Sequence, residues 1–281
     1  MQTLMMAKDF IFNAVFNDVK DTMPITHLLA DYLGEDYEEL KKNITLIPRE
    51  LGVDKKRSAR FQVDILIKRE HGNIENIELN ASYDNLIIKR NNGYATKIYS
   101  SNYPKKAYDT KNVHIPSLRQ INFCLEVPER ITNNLINECF LTIKGTDIIL
   151  TDDFEIDVVD MAKIDDPSYN YVDEREERVA RWCKILKSSD SEVINKELKK
   201  IMSKTDADKI TKKVEDISQD SEFITLNDEY DKVELEKAGE RNLGREEGIK
   251  GTAKKMLDKK YDIKDISEIT GLSKNEIESL R

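Results

Sequence analysis

The sequence predicts an α/β fold, a mixed β-sheet flanked by helices and followed by an all-α C-terminal region. Three observations predict it. Residues 60–68, "RFQVDILIK", and 73–80, "NIENIELN", alternate apolar and polar side chains with the period of two that paired strands require. The segments around them repeat apolar residues at helical spacing. From about residue 166 the strand pattern stops and amphipathic helical sequence takes over.

Residues 4–17 place Phe12, Val15 and Phe16 at helical spacing, and residues 25–41 read as a second helix with a break near Gly34. "NITLIPREL" (43–51) reads as a strand stopped by Pro48, which cannot donate to a sheet ladder. In the first strand of the hairpin, Phe61, Val63, Ile65 and Ile67 share one face, and Gln62, Asp64 and Leu66 the other. In the second, Ile77 and Leu79 oppose Asn76, Glu78 and Asn80; "HGN" (71–73) supplies the turn. Residues 82–101 read as a helix interrupted by Gly93. "QINFCLEV" (120–127) is a strand, and 147–161 offers one or two more. Residues 173–187 and 191–205 are amphipathic helices.

Two domains are expected: 1–165, carrying the sheet, and 166–281, helical. The second ends in a short helix–turn–helix-like tail over 252–281, with Gly271 placed for a C-cap and Ser273 for the next N-cap. A simple helical hairpin fits that pattern as well as a DNA-binding version does, and the tail helices also suit pairing of two copies. Before the tail, Gly244, Gly248 and Gly251 either permit close helix approach or mark a flexible connector.

The chain has 281 residues and a net charge of −9. The charge is uneven. Residues 41–120 hold 16 Lys and Arg against 8 Asp and Glu, a net of +8, whereas residues 121–281 carry −11. A local basic footprint is what a binder of a phosphate backbone needs. No apolar run reaches the length of a membrane span, and the N-terminus lacks the cleavage pattern of a signal peptide. Three widely spaced cysteines argue against a disulfide framework or a zinc site and fit a cytoplasmic protein. His27, His71 and His114 are isolated and read as packing or surface residues. "DKKRSAR" (54–60) is a candidate phosphate contact, and Tyr94, Tyr99, Tyr103 and Tyr108 are candidates for base stacking or for the core.

The chemistry lies in the hairpin. A charge at mid-strand is costly to bury unless it is paired or holds a metal. If the strands pair across residues 71–73, Asp64 and Glu78 converge into an oxygen-rich site of the kind Mg2+ prefers, a few carboxylates completed by water and substrate phosphate. A half-exposed sheet with a wet polar face accounts for the spacing too.

The order of these elements resembles the core of the PD-(D/E)XK nuclease fold. More closely, residues 8–127 resemble the recombination-promoting nucleases, or PD-(D/E)XK nuclease family transposases. "KDFIFNAVF" (8–16) resembles the opening motif, "VDILIK" (63–68) the Val-Asp strand and "NIELN" (76–80) the Ile-Glu-x-Gln strand. "KRNNGYATKIYSS" with "QINFCLEV" resembles the Arg- and Tyr-bearing helix and the strand after it; Trp182 and the tail also resemble that group. The resemblance implies a restriction-endonuclease-like core and a DNA endonuclease using Mg2+ or Mn2+. Asp64 and Glu78 would be its metal ligands and catalytic carboxylates, Asn80 would orient water, and Asp9 would be an additional acidic residue. Asn13 and Asn80 depart from the lysines of the general pattern, so Lys89 or Arg90 would supply the missing positive charge. The alternatives are an inert relative that binds DNA or protein, and an interaction protein assembled through its acidic helical half.

Overall fold

The computed structural model describes residues 1–47, 63–102, 116–128, 130 and 133–280. The expected phosphate contact at 54–60, together with Tyr103, Tyr108 and His114, lies outside them. The chain forms two compact units, Met1–Asp220 and Ser221–Arg281.

The first unit opens with three helices, α1 (Asp9–Phe16), α2 (Met23–Leu33) and α3 (Tyr37–Lys42). Gly34 divides α2 from α3 as expected: it adopts a left-handed conformation, φ 69°, that side-chain-bearing residues rarely adopt. The sheet contains β1 (Ile44–Ile47), β2 (Ile65–Arg69), β3 (Ile74–Asn80), β4 (Leu118–Cys124), β5 (Ile136–Asn137), β6 (Phe140–Thr142) and β7 (Ile149–Asp160). Their order is β1-β2-β3-β4-β7-β5, and β6 also pairs with β7. β1, β2 and β3 run antiparallel in sequence; β3, β4 and β7 run parallel. The parallel β3–β4 pair needs a crossover, which α4 (Asn85–Asn102) supplies. The sheet is therefore mixed, as predicted.

Several local expectations shift. Gly93 does not interrupt α4, because it sits on the outer side with open space around it. Residues 147–161 hold one strand, the twelve-residue β7, as one of the two expected outcomes, and the short β5 and β6 beside it, which were not expected, carry too few residues to show a period. The expected helix over 191–205 stops at Leu198, and Ser203 caps the next one, α7 (Lys204–Gln219), after α5 (Glu174–Lys187) and α6 (Ser191–Leu198). Val63 leaves the alternation, packing with Leu66 rather than with Ile65 and Ile67, because β2 begins only at Ile65.

Alternation sends the two faces of the sheet to different partners. On one face, Leu66, Ile74 and Leu118 pack against Ala95 and Ile98 of α4. On the other, Phe123 meets Tyr32 of α2 edge-on at 6.3 Å. That second face also carries a ladder of charge: Arg69 bonds Glu75 (3.2 Å) and Glu35 (2.6 Å), and Arg119 bonds Glu155 (2.8 Å). The helices after residue 166 join this layer. Trp182 of α5 packs against Phe16 and donates to buried Asp31 of α2 (2.7 Å), and Arg178 closes on the same carboxylate (2.6 Å). His27 is buried and stacked on Tyr37, as a packing histidine would be.

The second unit is built from α8 (Ser221–Asp258), α9 (Ile263–Thr270) and α10 (Lys274–Glu278). α8 runs unbroken through Gly239, Gly244, Gly248 and Gly251, and nothing described lies within 4 Å of a Cβ placed on any of them, so they serve neither close approach nor a break. Gly271 and Ser273 cap the α9–α10 turn as expected, and Glu276 completes a capping box. Ala253, Ile266 and Ile277 form the small core there, while Ile269 turns outward.

The Asp31 carboxylate ties α2 to α5. Asp31→Ala leaves the Trp182 N–H and the Arg178 charge without their acceptor and is expected to cost about 3–5 kcal/mol, read as a shift of the urea midpoint at unchanged slope.

Candidate active site

The pairing register of β2 and β3, extended by one residue, sets Asp64 opposite Glu78. The strand breaks at that point. Leu79 would otherwise pair with Val63; instead its N–H donates to the Asp64 carboxylate at 2.9 Å. α1 holds the bend from the other side. Asn17 donates to the Asp64 main-chain carbonyl (3.0 Å), and Asn13 donates both to the Asp9 carbonyl (2.8 Å) and to Asp64 Oδ1 (3.4 Å). Asn13, which departs from the expected lysine, thus steadies Asp64 with a neutral donor. Asp9 stands at the start of α1, near Asp64 through this shared asparagine, with its side chain on the exposed side.

Glu78 is buried in the centre of the sheet, 2% exposed. Asn76 donates to it at 3.2 Å. Burial pushes its carboxyl up from 4.5 to about 8; the Asp64 charge adds to the shift, and Asn76 and Arg90 oppose it. The two carboxylates therefore repel across a desolvated gap.

Five buried amides cover the rest of this face. Asn76 also donates to Gln120 (3.0 Å), Gln120 to Asn122 (3.3 Å), and Asn91 of α4 to Asn122 (2.7 Å). Asn122 donates onward to the main-chain carbonyl of Asp157 (2.9 Å). Asn80 accepts from Arg90 (2.9 Å) and from Asn91 (3.3 Å), and Arg90 donates a second bond to Asn91 (3.2 Å). The Asn80 amide lies against the Cys124 sulfur, a weak acceptor, and its Nδ2 makes no hydrogen bond of ordinary geometry. Lys89 is exposed one residue away and makes no described contact with the site. Of the two candidate cations, Arg90 is the one the fold brings to Asn80.

Tyr94 belongs here too. Its ring lies under Arg90 at 5.7 Å, and its hydroxyl feels the charges of Asp64 and Glu78. Tyr99 instead packs on Phe154 (5.6 Å). Sequence reading missed Asn76, Asn91, Gln120 and Asn122; their signal was a run of polar residues at the apolar period of β3, β4 and α4. A cavity of about 720 Å³ between α6 and α7 lies apart from this site, and its polar groups satisfy one another, Asn195 with Asp208 and Thr211.

A family model described as PD-(D/E)XK nuclease family transposase matches residues 6–240. The chain belongs to that family. No curated protein and no solved structure matches it. Nucleases of this family generally use divalent metal ions, and membership supports a nuclease or transposase type of function with DNA as substrate. Among the described residues, no helix is long and apolar enough to cross a membrane, and no three His, Cys, Asp or Glu side chains gather around one point. The donor set at Asp64 and Glu78 still fits a hard cation, since Mg2+ commonly takes only one or two protein carboxylates. Burial, with the Asp64 charge adding to it, holds Glu78 toward its protonated form, and a bound cation would offset both.

Glu78 keeps its proton in the folded chain where the unfolded chain has lost it. Its contribution to stability is thus fully present below pH 4.5 and is lost as pH rises through about 8. Urea unfolding across that range is expected to show a shallower decline in Glu78→Gln than in the wild type; equal declines would place the titration elsewhere.

Proposed function

We propose that the protein is a divalent-metal-dependent DNA endonuclease, hydrolysing phosphodiester bonds at Asp64 and Glu78. The observation that carries this reading is the nearness of two carboxylates, Asp64 at the bend before β2 accepting from Leu79 N–H and Glu78 buried in β3 and feeling the Asp64 charge. Mg2+, or Mn2+, would be held by Asp64 and Glu78 and would supply activation of water and stabilisation of charge on the reacting phosphate. Glu78 would release its proton to solvent in holding the cation. The bond formed is between the water oxygen and phosphorus, the bond broken is from phosphorus to the leaving oxygen, and the leaving oxygen takes up a proton.

Arg90 stands in for the lysine that position 80 lacks. Its guanidinium is always charged and binds phosphate oxygens well, and its bonds to Asn80 and Asn91 set it at the edge of the pair. Lys89 has no such support. Asn80 serves as the seat of Arg90, its buried Nδ2 lying against the Cys124 sulfur rather than open to a water. Asp9 would be an additional acidic residue at the start of α1; Asn13 meets it at its main-chain carbonyl. The three free cysteines are in keeping with a reducing cytoplasm, and the exposed Leu226, Val233 and Leu235 on α8 suit association of two copies through the C-terminal helices. Recombination or transposition is the setting that the family suggests.

Plasmid nicking with Mg2+, Mn2+ or EDTA tests the reading. Cutting is expected to require metal and to vanish in Asp64→Ala and in Glu78→Ala. Arg90→Gln is expected to lower kcat by on the order of 10²-fold, the usual cost of losing one transition-state donor. A wild type that leaves the plasmid intact with metal at low salt would replace the enzyme by an inert, DNA-binding relative.

A further inference from the structure

Arg69, Arg119, Arg175, Arg178 and Arg181 each end on a carboxylate. Arg90 does not. Among the described residues it has no carboxylate within ion-pair distance, and its hydrogen bonds go to two amide oxygens, Asn80 Oδ1 and Asn91 Oδ1. A guanidinium only donates, so those two atoms must be the oxygens, and both amides are fixed with their acceptors toward it. The far end of the network enforces the same direction. The Asp157 main-chain carbonyl only accepts, so Asn122 turns its nitrogen there and its oxygen to Asn91. Asn91 must then give its nitrogen to Asn122 and its oxygen to Arg90. Two anchors of opposite kind, one on β7 and one on α4, agree on a single polarity. Asn80 and Asn91 are 3% and 0% exposed, so water does not readily substitute for either.

The helix that carries Arg90 shares this character. α4 has no acidic residue in its eighteen, within a chain of net charge −9. Beside its first residue, Arg130 likewise ends on an amide, that of Asn85, at 2.6 Å.

We propose that Asn80 and Asn91 are positioning residues that hold the Arg90 guanidinium firmly without neutralising it, so that its charge is kept for a phosphate of bound DNA. The proposal rests on the nuclease reading for the identity of the anion. An aspartate at position 80 would keep an accepting oxygen on Arg90 and spend its charge; at position 91 it would spend it likewise but give up the N–H that Asn122 accepts.

The test is binding of a short duplex DNA in EDTA over a series of salt concentrations, which needs neither metal nor cleavage. It compares the wild type with Asn91→Asp, Arg90→Gln and the double variant, each checked for folding by circular dichroism. Asn91→Asp and Arg90→Gln are each expected to weaken binding and to lower the salt slope by about one, the contribution of one phosphate contact. The double variant is expected to match Arg90→Gln alone. Simple repulsion by an added negative charge would persist in full in the Arg90→Gln background, and that result overturns the proposal. So does an unchanged slope in Asn91→Asp. If Asn91→Asp does not fold, Asn80→Asp is read in the same way, since it keeps the accepting oxygen on Arg90 and alters only an N–H that makes no hydrogen bond. Non-additive binding without metal-dependent cutting removes the nuclease reading and leaves Arg90's role standing; cutting with additive binding does the reverse. A wild type that does not bind DNA overturns both.

Discussion

A carboxyl group buried at mid-sheet must be matched, and the requirement of Glu78 shapes most of what surrounds it. Apolar neighbours alone would leave it neutral and inert. Arginine directly against it would fix it as a spent ion. The fold does neither. It provides an amide donor from Asn76, a second carboxylate from the bend at Asp64, and an arginine held nearby on other partners. The result is a carboxyl whose proton is held by burial and whose ionised form has a donor and a positive charge at hand.

The opposite face of the same sheet makes the contrast plain. Glu75 and Asp157 are just as deeply buried, and burial raises both, Glu75 to about 7. Yet each has an arginine in reach, Arg69 for Glu75 and Arg119 for Asp157, and Tyr32 donates to Asp157 at 2.7 Å. Those charges join β-strands to one another and to α2. A perturbed carboxyl by itself therefore does not locate the chemistry. The partners distinguish the two faces: arginines for Glu75 and Asp157, a neutral amide for Glu78 on the face of α4.

The asparagines at 13 and 80 take on meaning in this setting. Read as substitutions for lysine, they look like losses. In the folded chain Asn13 bridges α1 to the Asp64 carboxylate, and Asn80 receives Arg90 from α4. The positive charge beside position 80 comes from α4 and not from the strand. A buried amide network is costly when it is half-satisfied, and this one is anchored at both ends, so the arrangement is held by more than one bond.

The sequence by itself determined the α/β class and the β2–β3 hairpin, whose alternation puts Asn76, Glu78 and Asn80 on one face; the bend that turns the Asp64 carboxylate to Leu79 came only with the fold. It also determined the capped turns at Gly34 and at Gly271–Ser273, where local backbone chemistry decides the outcome. Gly93 and the glycines of α8 misled, since a helix tolerates glycine where nothing presses on it and a single chain pattern does not show that space. The choice of Arg90 over Lys89 was beyond the sequence. Adjacent residues on a helix point about 100° apart, and only the docking of α4 on β3 and β4 decides which of them reaches Asn80. The amide network was hidden for the same reason. Its members come from β3, α4 and β4, and hydrogen-bond direction exists only once those three elements lie side by side.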